Sequence, residues 1–201
     1  MGGSNRVEGV ALGLRVKTGR AVVVVLAGSV KSPKVVARHE LILFDEEVPD
    51  SSQPYHAGLE LAPAQAEATV RRLSEIVLAA SIARIAQLID ELGRSGMGPR
   101  SAGIVVGSLT DPATVKNPHM HAHAAEGRLF LESVASGLER RDLKPVVLVE
   151  KELHESAART LGTTQGAIDR AAIAMGKAFG KPWRLDEKTA TLAAWVALRQ
   201  R

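Results

Sequence analysis

The sequence predicts an α/β domain built on a mixed five-stranded sheet with helices on both faces. Two Val/Leu-rich runs, residues 8–16 and 21–28, are joined by the short glycine-containing link Lys17-Thr-Gly-Arg20, the pattern of a hairpin. A third apolar run from Lys34 to Phe44 follows closely, so the first three strands are antiparallel neighbours. Two more short apolar runs, 101–108 and 144–149, are each preceded by a helical pattern, which makes them parallel strands reached by crossovers.

The elements follow in order. The first strand carries Val10-Ala-Leu-Gly-Leu-Arg15, and Pro33 and Asp45-Glu-Glu bound the third. Residues 45–62 lack apolar periodicity and read as a loop. A long helix runs from Pro63 to about Leu92, opened by proline in its first turn and closed by Gly93 and the Gly96-Met-Gly-Pro99 breaker. Its apolar stripe is Leu78, Ile82, Ile85, Ile89 and Leu92. Thirty residues span roughly 45 Å, longer than a small sheet is deep, so the helix 63–92 is a candidate contact for a homodimer. The strand 101–108 ends in Leu109-Thr-Asp111-Pro112, and a helix follows from near His121 to Arg141. After the fifth strand come helices over 152–161, 164–179 and 186–198, the second stopped by Gly180. Residues 1–6 are expected to be a flexible N-terminus and 7–201 a single domain.

Composition narrows the function classes. The 201 residues are 45% hydrophobic, with a formal charge of +4. Up to residue 39 there are seven bases and one acid, Glu8, but beyond residue 40 the signs are interspersed; nucleic acid is an allowed partner, not a demanded one. Cysteine is absent, which excludes disulfides, thiolate metal sites and a cysteine nucleophile. The longest apolar run, Ala21 to Gly28, is far short of the roughly 20 residues a membrane-spanning helix needs, so no membrane partner and a cytoplasmic location are expected. Serine catalysis lacks a nucleophile elbow, and the glycines form no phosphate-binding loop. Trp183 and Trp195 read as packing anchors of the C-terminal helices.

Two segments sharpen the fold. Ala11-Leu-Gly13-Leu-Arg15, followed by Thr18-Gly-Arg-Ala21, resembles the first strand and turn of the RuvC-type Holliday-junction resolvases, a branch of the ribonuclease-H-like superfamily. Gly162 after the fifth strand, an amphipathic helix, a proline-containing loop and Asp186-Glu-Lys-Thr189-Ala190 are similar to that family's C-terminal part. The resemblance covers most of residues 8–198 in element order, and it implies a ribonuclease-H-like fold. It also implies four carboxylates holding two Mg²⁺ ions, one for the attacking and one for the leaving oxygen of phosphodiester hydrolysis. Here those positions hold Arg15, Gly107, Asp186 and Thr189, so three of the four expected acids are missing. A guanidinium stays charged and repels a divalent cation, which argues against two-metal nuclease activity. Arg15 is expected either to bind an anion bidentately or to form an internal salt bridge with Asp186 or Glu126, while Lys17 and Arg20 are expected to be solvated turn residues.

Pro118-His119-Met-His121-Ala-His123-Ala-Ala-Glu126-Gly127 places three of the six histidines within five residues. His119, His123, Glu126, Phe130, Val134 and Leu138 recur at intervals of four and three, so the histidines share a face that turns core-ward one turn later. His119, His123 and Glu126 can reach one divalent metal such as Zn²⁺, Mn²⁺ or Ni²⁺, with His56 or Asp111 as guesses for a fourth ligand. The competing reading has His119 or His121 capping the helix, Glu126 pairing with Arg15 or Arg128, and His123 donating to a backbone carbonyl. Gly127 suggests close packing against a strand or a ligand. Together these residues give a candidate binding site of Arg15, His119, His123, Glu126 and Asp186. The expected function is a catalytically degenerate binding or regulatory module for nucleic acid that requires no cofactor; the alternative is a metal-dependent hydrolase or nuclease with a rebuilt His/Glu/Asp site.

Overall fold

Val and Leu at nearly every position leave the first two strands no polar face, so both must be covered on both sides. The computed structural model describes residues 8–199; the N-terminal segment 1–6 lies outside the described residues. Strand β1 (Glu8–Lys17) turns at Gly19, whose φ of +76° suits glycine, into the antiparallel β2 (Arg20–Ser29). Strand β3 (Ser32–Ile42) pairs antiparallel on the far side of β2. Strands β4 (Met97–Val106) and β5 (Pro145–Val149) add in parallel beyond β1, giving the order β3-β2-β1-β4-β5. This is the expected mixed five-stranded sheet.

Strand β4 begins at Met97, inside the segment expected to be a breaker. Pro99 lies opposite Val10 at a register shift, and β5 pairs with β4 only from Ala102 onward, so the proline sits where one side of β4 is open. Residues 45–62 are not structureless either, since they hold a 3₁₀ turn, Pro49–Ser52, and a short helix α1, Pro54–Ala57.

Helix α2 (Pro63–Arg94) and helix α3 (Pro118–Glu139) cover one face. Against them pack the even positions of β1, Val10, Leu12, Leu14 and Val16, in the main core with Ile85, Leu88, Phe130 and Val134. The buried stripe of α2 is Leu73, Val77, Ser81, Ile85, Leu88 and Leu92, which shares Ile85 and Leu92 with the expected stripe but departs from it toward the N-terminal end. Leu78 is exposed and Ser81 is buried, because a small hydroxyl in the stripe hid the true phase from an apolar count. α3 starts at Pro118 rather than near His121, capped by the Asn117 side chain, which accepts from Met120 N at 3.0 Å; neither His119 nor His121 is the cap.

The other face carries α4 (Leu153–Leu161), α5 (Gln165–Phe179) and α6 (Leu185–Arg199), with α6 lying directly on the sheet. Gly13 and Gly103 are register partners on adjacent strands. A Cβ on Gly13 would stand 1.9 Å from the Ala190 carbonyl oxygen, and one on Gly103 would stand 2.5 Å from that of Ala193. Two glycines facing an alanine-rich helix thus let α6 approach to backbone contact, which fixes where its first turn meets the sheet. Trp183 and Trp195 anchor this layer, donating to the Ala172 and Val30 carbonyls at 3.1 and 2.9 Å. No described helix is long and apolar enough to cross a membrane.

Candidate functional site

Side chains alternate along β1, so Ala11, Gly13 and Arg15 point to the α6 face while Leu12 and Leu14 point to α2 and α3. That parity decides the partner of Arg15. The side chain is 6% exposed, and its Nη1 donates to the carbonyls of Val16 at 3.1 Å and Val105 at 3.4 Å. Its Nη2 reaches across β4 to Glu150, the residue that follows β5. Neither Asp186 nor Glu126 pairs with it: Glu126 sits on α3, on the opposite face, and Asp186 is held by other cations. Glu150 escaped the sequence reading, and its only signal was its place as the first acid after the fifth strand.

Asp186 lies in the first turn of α6. The start of that helix is fixed by Glu187, whose Oε2 accepts from Arg184 N at 2.8 Å and whose Oε1 accepts from Arg38 at 3.0 Å. Lys17 Nζ is 2.8 Å from Asp186 Oδ1, and Arg20 Nη2 is 3.0 Å from Oδ2. Arg20 also holds Glu40 at 3.1 Å. Lys17 and Arg20 therefore form a clamp on Asp186 and are not merely solvated turn residues. Burial alone would push the Asp186 carboxyl up; the Lys17 hydrogen bond and the charges of Lys17, Arg20 and Arg15 outweigh it and hold the carboxyl below its ordinary value.

This end of the sheet is where the resemblance placed four metal-binding acids. The side chains present do not fit a metal pair. Arg15 brings a fixed positive charge, Gly107 brings no side chain, Thr189 is buried and neutral, and the two carboxylates nearby, Asp186 and Glu150, are already bound by cations of the chain itself.

The histidines gather on the other face. His119 and His123, one turn apart on α3, bring Nε2 to within 3.1 Å of Nε2. His56, carried by α1, completes a group in which one ligand atom from each of the three residues lies within 4.8 Å of the others. Glu126 does not join them: its Oε1 faces His56 Nδ1 at 2.8 Å and accepts the His56 backbone N–H at 3.2 Å. Of the two guessed extra ligands, His56 is brought in and Asp111 is not; Asp111 caps a 3₁₀ turn by accepting from Ala113 N at 3.1 Å. His121 is turned away, with Nδ1 2.9 Å from the Pro112 carbonyl. His123 meets His119 rather than a backbone carbonyl.

Between the two clusters runs a cleft of about 610 Å³ across the C-terminal ends of β1 and β4. Arg15, Lys17 and Arg20 line it on one side, and His123 and Gly127 on the other. A Cβ at Gly127 would meet no atom within 4 Å, so this glycine opens onto the cleft and does not pack against a strand. The expected candidate site thus resolves into two parts on opposite faces of the sheet: Arg15 with the neighbouring Asp186, and His119 and His123 with Glu126 behind them; of the five, Arg15 and His123 line the cleft.

No protein-family model matches the chain, and no curated protein matches it in sequence. Its backbone is similar to solved structures of Thermus thermophilus RuvC. The structure of that protein in complex with a Holliday junction substrate aligns with a TM-score of 0.55 and 8% identity over 93% of this chain and 90% of RuvC. A second structure of the same protein aligns with a TM-score of 0.55 and 8% identity, covering 93% of this chain and 92% of RuvC. The alignment spans nearly the whole of both chains and includes the mixed sheet, so this protein has a ribonuclease-H-like fold of the RuvC type.

Proposed function

We propose that the protein is a catalytically degenerate RuvC-like module that binds phosphate-bearing nucleic acid in the cleft between α3 and the C-terminal ends of β1 and β4 without cutting it. One observation carries this reading: the carboxylates at the C-terminal edge of the sheet are neutralised by Arg15, Lys17 and Arg20, side chains that cannot leave as metal ions can. A two-metal mechanism needs open carboxylates to seat both ions, and this edge offers none. What it offers is N–H donors. Lys17 and Arg20 are each about two-fifths exposed, and a phosphate entering the cleft can share them with Asp186.

One of the similar RuvC structures holds a Holliday junction, so a four-way DNA junction is the first probe. Fluorescence anisotropy at low ionic strength is expected to detect binding that weakens steeply with salt, and Lys17→Ala with Arg20→Ala is expected to reduce the salt slope by about 1–2. The junction is expected to stay uncut with Mg²⁺ or Mn²⁺. Absence of binding to four-way and single-stranded DNA and RNA at low salt would sink the nucleic-acid reading; metal-dependent cleavage would sink the degenerate one.

The alternative, a hydrolase rebuilt from His119, His123, Glu126 and Asp186, loses two of its four groups to other partners. Glu126 is turned to His56 and Asp186 to Lys17 and Arg20. We also propose that a second copy of the chain packs on α2, the helix expected to supply a dimer contact.

A further inference from the structure

The three imidazoles and the carboxylate behind one of them belong neither to the ion-pair network nor to the core. Glu126 is 0% exposed, yet both hydrogen bonds found for its Oε1 go to His56, one from the ring and one from the backbone. Oε1 already accepts the His56 backbone N–H, and the ring contact is read the same way: His56 Nδ1–H donates to Glu126 Oε1. The lone pair of His56 is then on Nε2. That atom is buried and has no partner among the described residues.

A buried carboxylate is expensive, and Glu126 uses it to orient a single histidine whose other nitrogen is left bare. His56 belongs to the cluster with His119 and His123, whose ring centroids lie 4.9 and 4.5 Å from its own, and with Nδ1 taken by Glu126 its bare Nε2 is the nitrogen left to bind an ion. Two ligands of a tetrahedral Zn²⁺ at about 2.05 Å stand roughly 3.3 Å apart. The 3.1 Å between His119 Nε2 and His123 Nε2 is close to that spacing. A carboxylate that fixes the tautomer of a ligating histidine is the usual support of a zinc site, and its negative charge offsets part of the charge of the ion.

We infer that His56, His119 and His123 form a mononuclear site for Zn²⁺ or a closely similar transition-metal ion, with Glu126 as a positioning residue. Three neutral imidazoles select this borderline class over Mg²⁺ or Ca²⁺, which take oxygen ligands. Three protein ligands leave a fourth position for water or an anion. His123 also lines the cleft, so a phosphate or carboxylate group of a bound molecule is the chemistry suited to that position. The site differs from the ligand set expected from the sequence: His56 replaces Glu126 as a ligand, and Glu126 moves behind it.

The test uses the full chain without a histidine tag and with no nucleic acid present, so its failure is separate from failure of the binding function. After incubation with Zn²⁺ and removal of free ion, mass spectrometric metal analysis is expected to find about one equivalent. Co²⁺ in place of Zn²⁺ is expected to give the intense visible bands of a four-coordinate ion. His119 and His123 are exposed, so His119→Ala and His123→Ala are expected to fold and to lose the ion, whereas His154→Ala, on the exposed side of α4, is expected to keep it. Glu126→Gln retains all three ligands, and it is expected to keep the stoichiometry while weakening Zn²⁺ binding about 10–100-fold. Less than a tenth of an equivalent in the folded protein would overturn the metal site, as would retention of the ion by His119→Ala and His123→Ala. Unchanged affinity in Glu126→Gln would overturn the role of Glu126.

Discussion

Arg15 is buried, its Nε has no partner among the described residues, and its charge is met at Nη2 by Glu150, which is 37% exposed. Removing the acid strands the cation. Glu150→Gln is expected to destabilise the protein by about 1–2 kcal/mol in urea unfolding, less than the roughly 3–5 kcal/mol for breaking a fully buried pair, because water reaches the acid side. A change below about 0.3 kcal/mol would mean that the two carbonyls alone satisfy the guanidinium. Asp186 gives a prediction with a sign in pH. Its folded carboxyl lies below the unfolded value near 3.9, so the unfolded chain takes up a proton first as pH falls. Its contribution is therefore complete above about pH 4 and is lost as the pH falls through the folded value. Asp186→Asn is expected to be less stable than wild type by about 1 kcal/mol at neutral pH, with the two converging in acid once the pH has fallen through the folded value. A gap that persists unchanged into acid would assign the effect to packing instead of charge.

Secondary-structure elements carry the next predictions, because glycines here do opposite work. Gly13→Ala would drive a methyl group into the backbone of α6, and it is expected to destabilise the protein by about 3 kcal/mol or more. A Cβ on Gly93, near the C-terminal end of α2, would meet no atom within 4 Å, so Gly93→Ala is expected to stabilise by about 0.5–1 kcal/mol through helix propensity. Equal effects in thermal denaturation would refute the close approach of α6 to the sheet. The histidine cluster ties α1 to α3, joining the connector after β3 to a helix seated on the core. Zn²⁺ at about a hundredfold excess over Kd is expected to add about 2.7 kcal/mol of stability, read as a rise on the order of 5–10 °C in Tm, and His119→Ala is expected to abolish the rise.

At the scale of the whole molecule, the fold was legible in the sequence because its signals are local. Apolar runs, the Lys17-Thr-Gly-Arg20 turn and the helix stops each act over a few residues, and together they gave the five strands in order. The site was legible only as residue types. Arg15 meets Glu150 across 135 positions, and His56 meets Glu126 across 70, so those pairings depend on which face each strand and helix presents. The parity of β1 separates Arg15 from Glu126, and nothing in the spacing of either motif encodes it. The α2 stripe was read correctly at Ile85 and Leu92 and missed at Leu78 for a related reason: one buried serine shifted the apparent phase by a residue, and Leu78 moved from the expected core to the surface.

That shift bears on assembly. Leu78 and Leu59 are exposed beside an apolar groove of about 980 Å³ between α1, α2 and α3, on the side of the molecule where the proposed second copy would pack. The groove contains Val70, Leu61 and Leu129 with charged residues at Glu67, Arg71 and Glu132, a composition that pairs an apolar centre with a polar rim. Light scattering with size-exclusion chromatography is expected to give a dimer mass. Leu78→Asp places a charge in the proposed contact and is expected to give a monomer with little change in Tm, since the side chain is already exposed in the single chain. A strictly monomeric wild type at concentrations of tens of micromolar would remove the dimer. A dimer that survives Leu78→Asp would place the contact elsewhere, because a charge buried without a partner in an interface costs several kcal/mol, enough to shift a micromolar equilibrium to monomer.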